Sequence, residues 1–102
     1  MDYTIPGCVN ITKVYPNPFN PQVTVDYEIN NQSDVSVFVV DISGKKIKTI
    51  KQSQGSKGTY RILWSGDNDH GENVSSGLYF LSIKAGNTIR TAKVLLLSLI
   101  HI

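Results

Sequence analysis

Apolar and polar residues alternate along this chain in short runs separated by polar turns. Val23, Val25, Tyr27 and Ile29 fall on one side and Thr24, Asp26 and Glu28 on the other, the period of two that a strand shows with one face on a core and one in water. Residues 59–65 repeat the pattern, with Tyr60, Ile62 and Trp64 against Arg61 and Leu63, and residues 77–84 set Tyr79, Leu81 and Ile83 against Leu78 and Phe80. Residues 9–15 alternate well enough for a short first strand. Residues 35–42 are almost continuously apolar, which predicts a central strand covered on both sides, with Val35, Val37 and Val39 inward.

The interruptions are as informative as the runs. Asp41, Ile42, Ser43, Gly44, Lys45 and Lys46 read as a hairpin, Gly44 supplying the positive φ of a tight turn. In its second arm Ile47 and Ile50 are three apart, so a bulge is predicted near Lys48 and Thr49. Pro16, Pro18 and Pro21 remove three backbone donors, making residues 15–21 a stiff corner with Phe19 plugging the core. Ala85, Gly86 and Asn87 form a tight turn from which residues 88–97 pair back, with Ala92, Val94 and Leu96 facing the core. About seven short strands at this spacing, with no helical period, predict an all-β sandwich, and residues 1–8 read as a linker or tail.

Composition narrows the function. A chain of 102 residues buries one core and no more. The formal charge of +2 is too small to predict nucleic acid as a partner. Half of the ten Lys and Arg lie at Lys45, Lys46, Lys48, Lys51 and Lys57, as expected of a solvated edge strand that resists edge-to-edge pairing. The apolar end, residues 94–102, is far shorter than the roughly 20 residues that cross a bilayer, so no membrane span is expected. The N-terminal residues carry no signal-peptide pattern, so an export signal would belong to a longer parent. Cys8 is alone and cannot form an intrachain disulfide, and the sequons at Asn10, Asn31 and Asn73 matter only in a glycosylating host.

Catalysis is not expected. His70 and His101 lack ligand spacing, no serine sits in a nucleophile elbow, and Cys8 has no basic neighbour to activate it. The loop Asp67, Asn68, Asp69, His70, Gly71 and Glu72 places alternate carboxylates near a glycine, like the opening of a calcium loop. The bidentate glutamate required at its twelfth position is missing, since that residue is Leu78. Asx-turn chemistry is the simpler account, with Asp67 and Asp69 retained as candidate calcium ligands and no cofactor expected. Glycan binding would need exposed aromatics. Tyr60, Trp64 and Tyr79 are predicted inward, leaving Phe38 and Phe80.

Four blocks in order, VYPNPFNP at 14–21, VVDISGKKIKTI at 39–50, WSGDNDHGENVSSGLYFLSIKAG at 64–86 and TAKVLLL at 91–97, together carry a family resemblance. The chain resembles the C-terminal sorting domain of type IX secretion cargo proteins, and the similar immunoglobulin-like domain of flagellar hook-capping proteins. The resemblance implies an immunoglobulin-like antiparallel β-sandwich over residues 9–97, with 98–102 an atypical tail, serving as a non-catalytic address at the end of a larger secreted protein from a bacterium of the Bacteroidetes group. Such an address is recognised by an outer-membrane translocon and removed by a sortase-like protease, and the cargo reaches the cell surface or medium through the periplasm. It further implies that Tyr15, Pro16, Asn17, Pro18, Phe19, Gly44, Trp64 and Gly71 are structural. Partner contact would fall on Gly77, Tyr79, Lys93, Val94, Leu95, Leu96 and Leu97. A monomer is expected. The alternatives are a structural or glycan-binding module of a secreted enzyme and a hook-capping module.

Overall fold

The computed structural model describes residues 8–16 and 22–97. Strands β1 (Val9–Tyr15), β2 (Val23–Ile29), β3 (Ser33–Val40), β4 (Lys46–Gly55), β5 (Gly58–Trp64), β6 (Gly77–Ala85) and β7 (Thr88–Leu96) follow one another, with no helix among the described residues. They form two antiparallel sheets, β1-β2-β5 and β4-β3-β6-β7. This is the predicted all-β sandwich. The chain crosses between sheets after β2, β4 and β5.

Alternation decides which side chains meet between the sheets. Val23, Val25, Tyr27, Ile29, Ile62 and Trp64 from one sheet bury against Val35, Val37, Val39, Tyr79, Leu81, Ile83, Val94 and Leu96 from the other. Trp64 is 1% exposed and meets Tyr79 edge-on, ring centroids 5.3 Å apart at 71°. Its Nε1 donates to the Asp67 carbonyl at 2.9 Å, so the indole is both core anchor and clasp for the loop after it.

The bulge expected near Lys48 and Thr49 is a pair of register shifts flanking that point. Val37 faces Lys51 but Phe38 faces Thr49, skipping Ile50; Val39 faces Lys48 but Val40 faces Lys46, skipping Ile47. Each shift turns an extra isoleucine, and Ile47 and Ile50 both pack against the core. At the preceding turn Asp41 Oδ1 accepts from the backbone N–H of Ser43 and Lys45 and from the Ser43 hydroxyl, and Gly44 takes φ 89°. The Ser43 hydroxyl and these N–H groups hold the Asp41 carboxyl below the usual carboxylate range.

Two expectations need correction. β3 is central but covered on one side only: Val35, Val37 and Val39 are buried, whereas Ser36, Phe38 and Val40 are half-buried on the outer face. An apolar run of this length does not distinguish a strand covered twice from one with an apolar outer face. Cys8, assigned to the tail, packs against the core, and its carbonyl accepts from Asn30 N at 2.7 Å. The expectations for Asn17, Pro18 and Phe19, and for residues 98–102, lie outside the described residues.

Candidate functional site

The β6–β7 hairpin was expected to carry partner contact, and its entry is held by a local device. Gly77 opens β6 at φ 153°, a conformation that side-chain-bearing residues rarely take, and two residues later the Tyr79 hydroxyl reaches back to donate to the Ser75 carbonyl at 2.6 Å. β5 opens the same way: Gly58 is at φ 156° and the Tyr60 hydroxyl donates to the Ser56 carbonyl at 2.6 Å. The five-residue pattern Ser-x-Gly-x-Tyr, at 56–60 and 75–79, therefore folds twice into one corner. The repeat is present in the letters but too short for the longer periods that mark repeat folds. Tyr79 is buried, so Gly77 and Tyr79 shape the hairpin from within.

Side chains of the terminal strand divide by parity. Val94 and Leu96 are buried, Ala92 is half-buried, and Lys93 and Leu95 are exposed, as is Leu97 just past the strand. Among residues 93–97, a partner docking on the folded domain can therefore touch Lys93, Leu95 and Leu97, while Val94 and Leu96 hold the strand in place. Strand register extends this surface across the whole outer face. One row runs Lys46, Val40, Phe80, Lys93 over all four strands; the next runs Thr49, Phe38, Ser82, Thr91; and Leu78 lies opposite Leu95. Ser82 and Thr91 share a hydrogen bond of 3.0 Å. Ile42, at 76% exposure, projects from the turn beside this end of the sheet.

Phe38 and Phe80 do face outward, but they form no open platform for a sugar. Both are half-buried, and the Lys46 ammonium lies 4.9 Å from the Phe38 ring centroid. The opposite outer face is of another kind. There Asp26 accepts from Arg61 at 2.8 and 3.3 Å and from the Tyr15 hydroxyl at 3.4 Å, while Lys13 sits 4.6 Å over the Tyr15 ring. The Arg61 guanidinium holds the Asp26 carboxyl below its usual range, against a smaller opposing effect of burial.

The acidic loop is built as a cover for the β4 edge. Asp67 Oδ2 pairs with Lys48 Nζ at 3.0 Å, Asp69 Oδ1 accepts from Thr49 N at 2.9 Å, and Asp69 N donates to the Ile47 carbonyl at 3.0 Å. Asn68 Oδ1 accepts from the N–H groups of His70 and Glu72, the Asx-turn geometry, with Gly71 in the turn at φ 79°. The two calcium candidates are thus directed at β4, and among the described residues no three His, Cys, Asp or Glu side chains converge to hold a metal ion. Periodicity carries no signal for this docking, which joins residues 19 to 22 apart where the loop folds back on β4.

Comparison with known proteins agrees with this picture. The family model of the secretion system C-terminal sorting domain matches residues 13–97. No curated protein matches the chain in sequence. Among solved structures, dimeric latent PorU from Porphyromonas gingivalis superposes with a TM-score of 0.70 at 14% identity, over 97% of this chain and 10% of that one. PorZ, described as an essential bacterial surface component of the type-IX secretion system of the same organism, gives 0.57 at 22% identity, over 85% of this chain and 11% of that one. At these identities the likeness is one of fold, and the chain spans about a tenth of each of those proteins.

Proposed function

From a chain that belongs to the secretion system C-terminal sorting domain family, we propose that residues 9–97 act as a folded address. The address would carry an attached cargo through the type IX apparatus by way of the periplasm and outer membrane. Sorting to the cell surface or medium is the family's role, and the family is not catalytic. The finer assignment is ours: an outer-membrane translocon reads the domain as a monomer, a sortase-like protease separates it from the cargo, and the domain itself performs no reaction. Within it, recognition centres on the outer side of the β6–β7 hairpin, Gly77 to Leu97.

The parity of the last strand is the observation that supports this reading. Leucines 95 and 97 are 38% and 47% exposed while Val94 and Leu96 are 0% and 3% exposed, so apolar groups remain on the surface after the core is complete. Deleting residues 93–97 would remove two core side chains and confound recognition with unfolding, so outer-face substitutions are the sharper tool.

The test is a reporter carrying a signal peptide and residues 9–97 in a type IX-competent host. Export to the surface or medium, absent from the reporter alone, is expected. Retention in the periplasm of the folded fusion would overturn the reading.

A further inference from the structure

The hairpin contributes only half of the outer face, and the other half comes from the Asp41–Lys46 turn and β4, about fifty residues earlier. By strand register, the strands of that face carry Lys46, Lys84 and Lys93 but a single acid, Asp34, which lies at the far end paired with Gln54 at 2.6 Å, and the turn adds Lys45 and Asp41, whose carboxylate is taken up by Ser43 and the Lys45 N–H. In the row Lys46, Val40, Phe80, Lys93 a cation stands at each edge and two half-buried apolar groups lie between. Three strand spacings separate those lysines, about 14 Å. On the opposite outer face Asp26 and Glu28 lie among Lys13 and Arg61, so charge there is balanced within the sheet.

Resting on the sorting reading above, we propose that the recognition surface is this whole lysine-flanked row with Ile42, Leu95 and Leu97 beside it. Its occupant is a protein surface in the secretion apparatus that presents an apolar strip bordered by carboxylates. The strip covers Val40, Phe80 and Leu95, and its carboxylates meet Lys46 and Lys93. Charge complementarity selects this occupant. An anionic membrane is disfavoured, since the lysines are spread over the face with Asp34 and Asp41 beside them and do not form the dense clusters of about four to eight that such membranes attract. Lys46, far from the terminal strand in sequence, is therefore a specificity residue of the sorting signal.

The test uses the full chain fused to a reporter behind a signal peptide in a type IX-competent host. Its variants are Lys46→Glu, Lys93→Glu, both together, Lys46→Arg, and Lys57→Glu in the exposed β4–β5 turn as a control. The double reversal is expected to lower the exported fraction about tenfold or more, the scale of a lost interfacial charge pair. Lys46→Arg, which keeps the charge, should export more than Lys46→Glu, Lys57→Glu should leave export unchanged, and thermal melts should confirm that every variant folds. Undiminished export of the folded double variant overturns the proposal while the sorting reading stands. Retention of the unaltered fusion overturns the sorting reading and this proposal with it. Lysine-dependent co-sedimentation of the purified chain with phosphatidylglycerol vesicles would assign the face to lipid and overturn the protein partner.

Discussion

The two outer faces of the sandwich share one core and differ in what they leave for a partner. On the three-stranded face the acids Asp26 and Glu28 are matched in number by Lys13 and Arg61: Arg61 grips Asp26, Tyr15 adds a hydroxyl, and Lys13 lies over the Tyr15 ring. On the four-stranded face the register sets Lys46 and Lys93 at the ends of an apolar row, with no acid in that row. A face whose charges are balanced has less to gain from docking than one that sets apolar groups between lysines outnumbering its acids. The contrast turns on chemistry rather than exposure, since Leu63 on the first face is 48% exposed and Leu97 beside the second is 47% exposed.

The largest expected effect removes what the faces share. Trp64→Ala should cost about 3–5 kcal/mol, as large aromatic truncations in cores do. It should also abolish export through unfolding, a loss visible in a urea melt and giving the signature against which face-specific variants are judged. Next come the corners. Gly77→Ala forces a side chain into a glycine conformation and should cost about 1–3 kcal/mol, with Gly58→Ala similar. If recognition lies on the β6–β7 side, Gly77→Ala lowers export more than Gly58→Ala at equal melting temperature. Equal losses at equal stability would weaken the comparison.

Smaller effects belong to the charge-balanced face. Arg61→Ala breaks a pair whose guanidinium is 61% exposed and should lower the melting temperature only slightly and leave export unchanged. Acid then exposes the carboxylates. The Asp26 and Asp41 pKa values are depressed in the folded domain, so each adds stability above its unfolded pKa of about 4 and loses it as pH falls through the lower folded value. Melting temperature should drop as pH is lowered from about 5 towards 2. Asp41→Asn should flatten that drop, and an unchanged slope would show that the turn contributes nothing to it.

Much of the fold was legible because strands announce themselves by alternation, as Val23 to Ile29 and Tyr60 to Trp64 do, and because Ile47 and Ile50 broke the period where the ladder slips. The error at β3 arose where alternation vanished: in Val35 to Val40 only the register separates the valines facing the core from Phe38 and Val40 on the outer face. The site was legible less fully. That Lys93 and Leu95 lie on the face opposite Val94 follows from parity, yet Lys46 could join them only through three consecutive strand pairings. Asp67 and Asp69 stayed calcium candidates beside the simpler Asx-turn account for the same reason. Their partners, Lys48 and the Thr49 N–H, become neighbours only when the loop folds back on β4.

The most direct test sets the two equally exposed leucines against each other in the signal-peptide fusion. Leu97→Asp and Leu63→Asp should each shift stability by no more than about 0.5 kcal/mol, as surface substitutions do. With both variants folded, the fusion bearing Leu97→Asp should remain in the periplasm while that bearing Leu63→Asp reaches the medium or cell surface. Export of both, or retention of both, would contradict recognition through the outer face of the four-stranded sheet.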